Sequence, residues 1–280
     1  MTNPIVVGTD GSPPAERAVE WAAAEATRRR CPLHVVYAVR PAECTLHSGP
    51  WDIDLLAEAG EHFLLRATEL VVKTAPDVEV TRELMFEAPG FALRERAGGA
   101  SEVVVGHRGR GGFAGLLLGS TSLSLAGRTP CPLVVVRGGT GEERDEVVAG
   151  VDLRESGHVL EYAFETAASR GAWVRAVHAW EVPPTLLDGR YPVSVREALT
   201  AAQSRLAEAV GPWRARYPEV RVVEETPSGQ PVRELVNRST RAERLVVGSH
   251  RHGGGPHIGS VSHGVIHHAD CPVTVIGPHA

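Results

Sequence analysis

One internal repeat constrains this chain more than any other feature. Ile5-Val6-Val7-Gly8-Thr9-Asp10 returns as Val147-Val148-Ala149-Gly150-Val151-Asp152, and Val103-Val104-Val105-Gly106 returns as Leu245-Val246-Val247-Gly248, both at a spacing of 142 residues. Cys131-Pro132-Leu133-Val134 returns as Cys271-Pro272-Val273-Thr274 at a spacing of 140. Self-similarity at this period means two copies of one domain, and 280 residues suffice for two cores of ordinary size. The change from 142 to 140 means that the second copy lost two residues between its fourth and fifth strands. Domains are therefore expected over 1–140 and 146–280. The boundary falls in 137–145, whose glycine-rich, polar composition without periodicity suits a linker; its acidic run, 142–146, reads as solvated.

Within each half, short runs of Val, Ile and Leu alternate with longer helical patterns. Continuous apolar runs of this length suit strands buried on both faces of a parallel sheet. Strands are expected near 4–9, 33–39, 78–84, 102–106 and 132–137, then near 146–151, 173–180, 219–225, 243–248 and 272–277. Ser12 before Pro13 reads as the N-cap and first position of a helix running to Arg30. Segments 41–51 and 182–192, with Pro, Gly and single aromatics, read as equivalent loops. The expected class is α/β: two tandem doubly wound domains, each a five-stranded parallel sheet flanked by helices.

Composition narrows the function classes. The chain is 42% hydrophobic, 22% charged and 5% aromatic, as in a globular protein. A net charge of -5 and the lack of a Lys/Arg block argue against nucleic acid. No apolar run reaches 18 residues and the N-terminus lacks a signal-peptide core, so no membrane contact and a cytoplasmic location are expected. Cys31, Cys44, Cys131 and Cys271 form no CxxC pair and are expected to be reduced, structural thiols.

The chemistry concentrates after the fourth strand of the first half. Gly106-His107-Arg108-Gly109 is followed, nine residues on, by Gly119-Ser120-Thr121 opening a helix. Glycines admit close approach to a phosphate, and helix-start N–H groups favour an anion. Arg108 and Arg110 add positive charge, while Ser120, Thr121 and Ser122 add hydroxyls. The loop also leaves the carboxyl end of a parallel strand, where ligands of open α/β sheets bind. Neither GxxxxGK[ST] nor a GxGxxG after the first strand is present, so two common nucleotide folds are excluded.

The spacing Gly-x2-Gly-x9-Gly-Ser, together with Val7-Gly-Thr-Asp-Gly-Ser12, resembles the ATP-binding signature of the universal stress protein family, and the resemblance spans both halves. It implies an adenine-nucleotide alpha hydrolase-like fold. It also implies nucleoside contacts from Thr9, Asp10 and Ala38, a ribose and phosphate side formed by Gly106 and Gly109, and phosphate contacts from Gly119, Ser120, Thr121 and Ser122. Magnesium is implied as an ion bridging phosphate oxygens rather than caged by protein. Members of the family pair through the fifth strand, which implies a homodimer or an internal pseudo-dimer of the two halves through 133–136 and 273–276. Asp10 also suits a plain turn-stabilising role, and the two roles are compatible.

The second half keeps Asp152, Gly248 and Gly259-Ser260-Val261-Ser262, but Arg251 stands where Gly109 does and its loop is two residues shorter. Weak or absent nucleotide binding is expected there, although Gly253-Gly254-Gly255 adds flexibility. His263 and His267 stand at i, i+4, but no glutamate of an HExxH motif and no third ligand accompany them. His250, His252, His257 and His268 complete a group that reads more simply as surface histidines. No general base or nucleophile is evident. The sequence therefore points to a stress-associated ATP-binding protein whose occupancy modulates interactions. A nucleotide-free interaction module and a slow ATPase or phosphotransferase remain as alternatives.

Overall fold

The structure is a computed structural model that describes residues 2–40, 51–110, 118–138, 144–181, 195–252 and 255–277. Of the loop expected at 41–51, Trp51 instead opens a helix; residues 41–50, the loop expected at 182–192, linker residues 139–143, loop residues 111–117, Gly253 and Gly254 lie outside the described residues, and Cys44 with them. The chain divides into two compact units, one of Met1–Thr140, Arg251–His257 and Gly277–Ala280 and the other of Gly141–His250 and Ile258–Ile276.

The first unit runs β1 (Ile5–Gly8), α1 (Pro13–Arg29), β2 (Leu33–Ala38), α2 (Trp51–Thr74), β3 (Val80–Met85), α3 (Pro89–Ala97), β4 (Glu102–Gly106), α4 (Ser120–Leu125) and β5 (Leu133–Val136). Its strands lie in the order β3-β2-β1-β4-β5, and every pairing is parallel. The chain leaves β1 toward β2 and later returns to the other side of β1 as β4, which makes the junction of β1 and β4 a topological switch point. Helices cover both faces: α1 packs with α2, and α3 packs with α4. Ile5, Val7, Leu33, Val35, Val104 and Leu133 are wholly buried, as strands sandwiched between two helical layers require.

Local chemistry explains α1. The Ser12 hydroxyl accepts from the Ala15 N–H at 3.4 Å, and Pro13, which has no N–H to satisfy, fills the first turn. The helix ends as Arg30 turns left-handed at φ 51°. Buried Ala18, Ala22, Ala23 and Ala26 give α1 a thin face that can lie close to the sheet.

The second unit repeats the plan with β6 (Glu146–Gly150), α5 (Gly157–Arg170), β7 (Trp173–Val177), α6 (Val195–Arg216), β8 (Val222–Glu225), α7 (Pro231–Ser239), β9 (Arg244–Gly248), α8 (Ser260–His268) and β12 (Val273–Ile276). Two short strands, β10 (His250–His252) and β11 (Gly255–His257), pair with each other between β9 and α8. The sheet order is β12-β9-β6-β7-β8, again parallel. The strand expected at 173–180 stops at Val177, and beyond it only Trp180 makes an isolated bridge, to Ser228. Among the described residues, no helix is long and apolar enough to cross a membrane.

A charged cluster recurs at the repeat spacing although no motif announces it. In the first unit Arg96 on α3 grips Glu83 on β3 with two hydrogen bonds of 2.6 and 2.7 Å, and His34 adds a third at 3.0 Å. In the second, Arg238 on α7 bonds Glu225 on β8 at 2.7 Å, with Arg175 beside it. The Arg96 hydrogen bonds hold the Glu83 carboxyl down at about 2 against an ordinary 4.5. With the folded-state value depressed, the stabilisation is complete above the unfolded value and is lost as pH falls from about 4.5 to about 2. The carboxylate is about a third exposed and screened by solvent, so Glu83→Gln is expected to cost about 1 kcal/mol at pH 7. Urea unfolding at pH 7 and near pH 2 should show that difference at the first and its disappearance at the second. Burial meanwhile pushes the Cys131 and Cys271 thiols up to about 12, and Cys31 also upward, so these cysteines stay protonated and unreactive.

Candidate functional site

At the switch point the carboxyl ends of β1 and β4 part and open a cavity of about 360 Å³. Every candidate nucleotide-contact residue of the first half lines it. Thr9 and Asp10 come from the end of β1 and Ala38 from the end of β2. Gly106, Arg108, Gly109 and Arg110 follow β4, while Gly119, Ser120, Thr121 and Ser122 form the start of α4.

Asp10 is the joint between the two loops. One carboxylate oxygen accepts from the Ser12 N–H at 3.0 Å and fixes the turn into α1; the other accepts from the Arg110 N–H at 2.7 Å, one hundred residues away. The turn-stabilising role and the cavity-lining position therefore coexist. A Cβ placed on Gly109 would lie 2.3 Å from the Asp10 carboxylate, so glycine here lets the loop close onto Asp10. Thr9 is buried, its hydroxyl accepting from the Gly11 N–H at 3.3 Å.

Gly106 is glycine for a reason that the sequence did not disclose. A Cβ there would stand 2.6 Å from the Pro14 carbonyl oxygen and 3.0 Å from the Ala15 nitrogen, so the backbone of α1 already occupies the space. Ser122 differs in the same way. Its buried hydroxyl donates to the Gly106 carbonyl at 2.9 Å, tying α4 to the end of β4, and its proton is directed there rather than into the cavity.

Positive groups outnumber negative ones at this end of the cavity. Helix α4 starts at Gly119, no side chain caps it, and its first intrahelical bond is made by the Leu123 N–H to the Gly119 carbonyl. The preceding N–H groups, of Ser120, Thr121 and Ser122, are the orphan donors of a helix start. Arg108 and Arg110 stand beside them, and among the described residues neither has a carboxylate partner; the Arg108 Nε is buried without any acceptor. A buried, unpaired guanidinium nitrogen is costly unless something anionic meets it. Asp10 is the one described carboxylate lining the cavity, and both its oxygens are engaged. Burial lowers the proton affinity of His107 behind the loop, favouring its neutral form.

The residues that the sequence reading missed form the apolar wall. Val36, Leu93, Val105 and Leu118 line the cavity with Ala15, Pro89 and Arg40. They come from separate strands and helices and belong to no motif; the nearest signal is Gly8, whose missing side chain makes room for Leu93.

The second repeat retains the scaffold and changes the residues at the equivalent positions. The Asp152 carboxylate accepts from the Arg154 N–H at 3.0 Å, the same turn that Asp10 makes. The Ser262 hydroxyl donates to the Gly248 carbonyl, as Ser122 does to Gly106, so the survival of Ser262 has a structural cause. Val151 replaces Thr9 and Arg251 replaces Gly109. Gly259 caps α8, whose first residues are Ser260, Val261 and Ser262. His263 and His267 lie with ring centroids 4.5 Å apart, yet no group of three potential metal ligands occurs among the described residues.

Residues 1–137 and 143–277 each match the model of the universal stress protein family. A universal stress protein of Mycobacterium tuberculosis is 35% identical over 286 residues, covering 97% of this chain and 96% of its own, and one of Mycolicibacterium smegmatis is 32% identical over 290 residues, covering 98% and 97%. The crystal structure of a universal stress protein from Archaeoglobus fulgidus superposes with a TM-score of 0.73 at 19% identity, covering 98% of this chain and 96% of that one.

Proposed function

The chain belongs to the universal stress protein family, and from that premise we propose that its first half binds ATP in the cavity between β1 and β4. The observation that carries this reading is the buried Arg108 Nε without an acceptor among the described residues, set beside an uncapped helix start and a second guanidinium. The triphosphate lies against Arg108, Arg110 and the N–H groups of Ser120 and Thr121. The base lies toward Val36, Ala38, Pro89 and Leu93, with Thr9 and Asp10 at the nucleoside. The cavity volume is within the usual range for small-ligand sites.

Magnesium enters with the phosphates. Asp10 has both oxygens engaged, so the ion would be held chiefly by phosphate oxygens. The same engagement leaves Asp10 poorly placed as a general base, which favours a nucleotide-sensing role over turnover. Because Asp10 joins the β1 turn to the loop after β4, occupancy alters the surface that this loop presents to partners. The second half, with Val151 and Arg251 in place of Thr9 and Gly109, serves packing or partner contacts instead. Calorimetric titration of the full chain with Mg-ATP tests the reading: saturable heat supports it, and no heat at concentrations up to millimolar removes it.

A further inference from the structure

We propose that Phe63, on α2 and outside the cavity, is the positioning residue that holds Arg110 for a nucleotide's phosphates; this rests on the ATP reading above. The Arg110 guanidinium carbon lies 4.6 Å from the centroid of the Phe63 ring, within cation–π distance. The same ring abuts the β1 turn: Gly11 adopts φ +73°, and a Cβ there would fall 2.1 Å from the Phe63 Cδ1. Phe63 is fixed in turn by Tyr37 of β2, stacked at a centroid distance of 5.8 Å and an interplanar angle of 23°. One aromatic ring thus supports the two loops that Asp10 joins on their inner side, through the Arg110 N–H. The Asp10 bond fixes the Arg110 backbone, and the ring fixes the direction of its side chain. Arg110 has no carboxylate partner among the described residues, so its orientation depends on this face.

Restraining a flexible guanidinium before binding reduces the ordering cost of the complex, and only ligands with phosphates gain from it. The test compares wild type, Phe63→Leu and Phe63→Tyr for binding of Mg-ATP and of adenosine, alongside trypsin cleavage after Arg108 and Arg110 without nucleotide. Phe63→Leu is expected to weaken ATP about fivefold with adenosine unchanged and to speed cleavage, while Phe63→Tyr, which keeps the ring, restores wild-type behaviour. Equal losses for ATP and adenosine, or no change in either, overturn the proposal. If wild type binds neither ligand, the ATP reading fails and the cleavage rate alone decides: faster cleavage in Phe63→Leu upholds the support of Arg110, and an unchanged rate overturns it.

Discussion

Gly106→Ala is expected to destabilise the first unit by about 2–3 kcal/mol, the upper part of the range for overpacking, whereas Gly248→Ala at the repeat-equivalent position should cost well under half as much. The added methyl at 106 meets backbone, with the Pro14 carbonyl oxygen at 2.6 Å and its carbon at 2.7 Å. Relief requires the start of α1 to move, and α1 lies against β4 and β1. At 248 the nearest atom is the Val159 Cγ2 at 3.3 Å, the end of a side chain that can yield by a few tenths of an ångström. Urea unfolding of the two variants beside wild type measures the difference. Equal losses would show that the close approach at Gly106 does not restrain the fold. Because Thr9, Asp10 and Gly106 share that junction, the 106 variant should also bind nucleotide poorly.

Arg108→Ala carries the largest expected effect on binding. A charged hydrogen bond to a ligand contributes about 1.5–3 kcal/mol, which corresponds to a loss of roughly tenfold to a hundredfold in ATP affinity. Stability should change little, because the Nε of the replaced side chain has no acceptor among the described residues. Adenosine, lacking phosphates, should bind wild type and variant alike. Calorimetry with both ligands separates a phosphate contact from general damage to the cavity, which would weaken adenosine as well.

The fold was legible because its signals are local and repeated. Ile5 to Asp10, Val103 to Gly106 and the Cys-Pro pairs at 131 and 271 mark strand positions through apolar runs, and the repeat checks each assignment against its copy. Ser12 and Pro13 announced α1 through chemistry confined to four residues. The cavity-lining loop after β4 was legible through glycine spacing. Its reasons were not: Gly106 is set by α1, Gly109 by Asp10, and Ser122 by the Gly106 carbonyl, all contacts between segments far apart in sequence. Leu93 and Phe63 were invisible for the same cause, since a leucine or phenylalanine in an amphipathic helix reads as core until the neighbouring loops are placed. The Glu83 and Arg96 pair recurs as Glu225 and Arg238, yet a separation of thirteen residues hides it from any helical or strand period.

The proposed function makes the two like domains unequal, with one nucleotide per chain, held by the first. Equilibrium dialysis of the full chain against labelled Mg-ATP measures it by counting. One equivalent at saturation is predicted for wild type, and a loss of at least tenfold in affinity for Gly109→Ala, whose methyl would displace the Asp10 carboxylate from the loop. Two equivalents, or one equivalent undiminished in the Gly109→Ala variant, would contradict it.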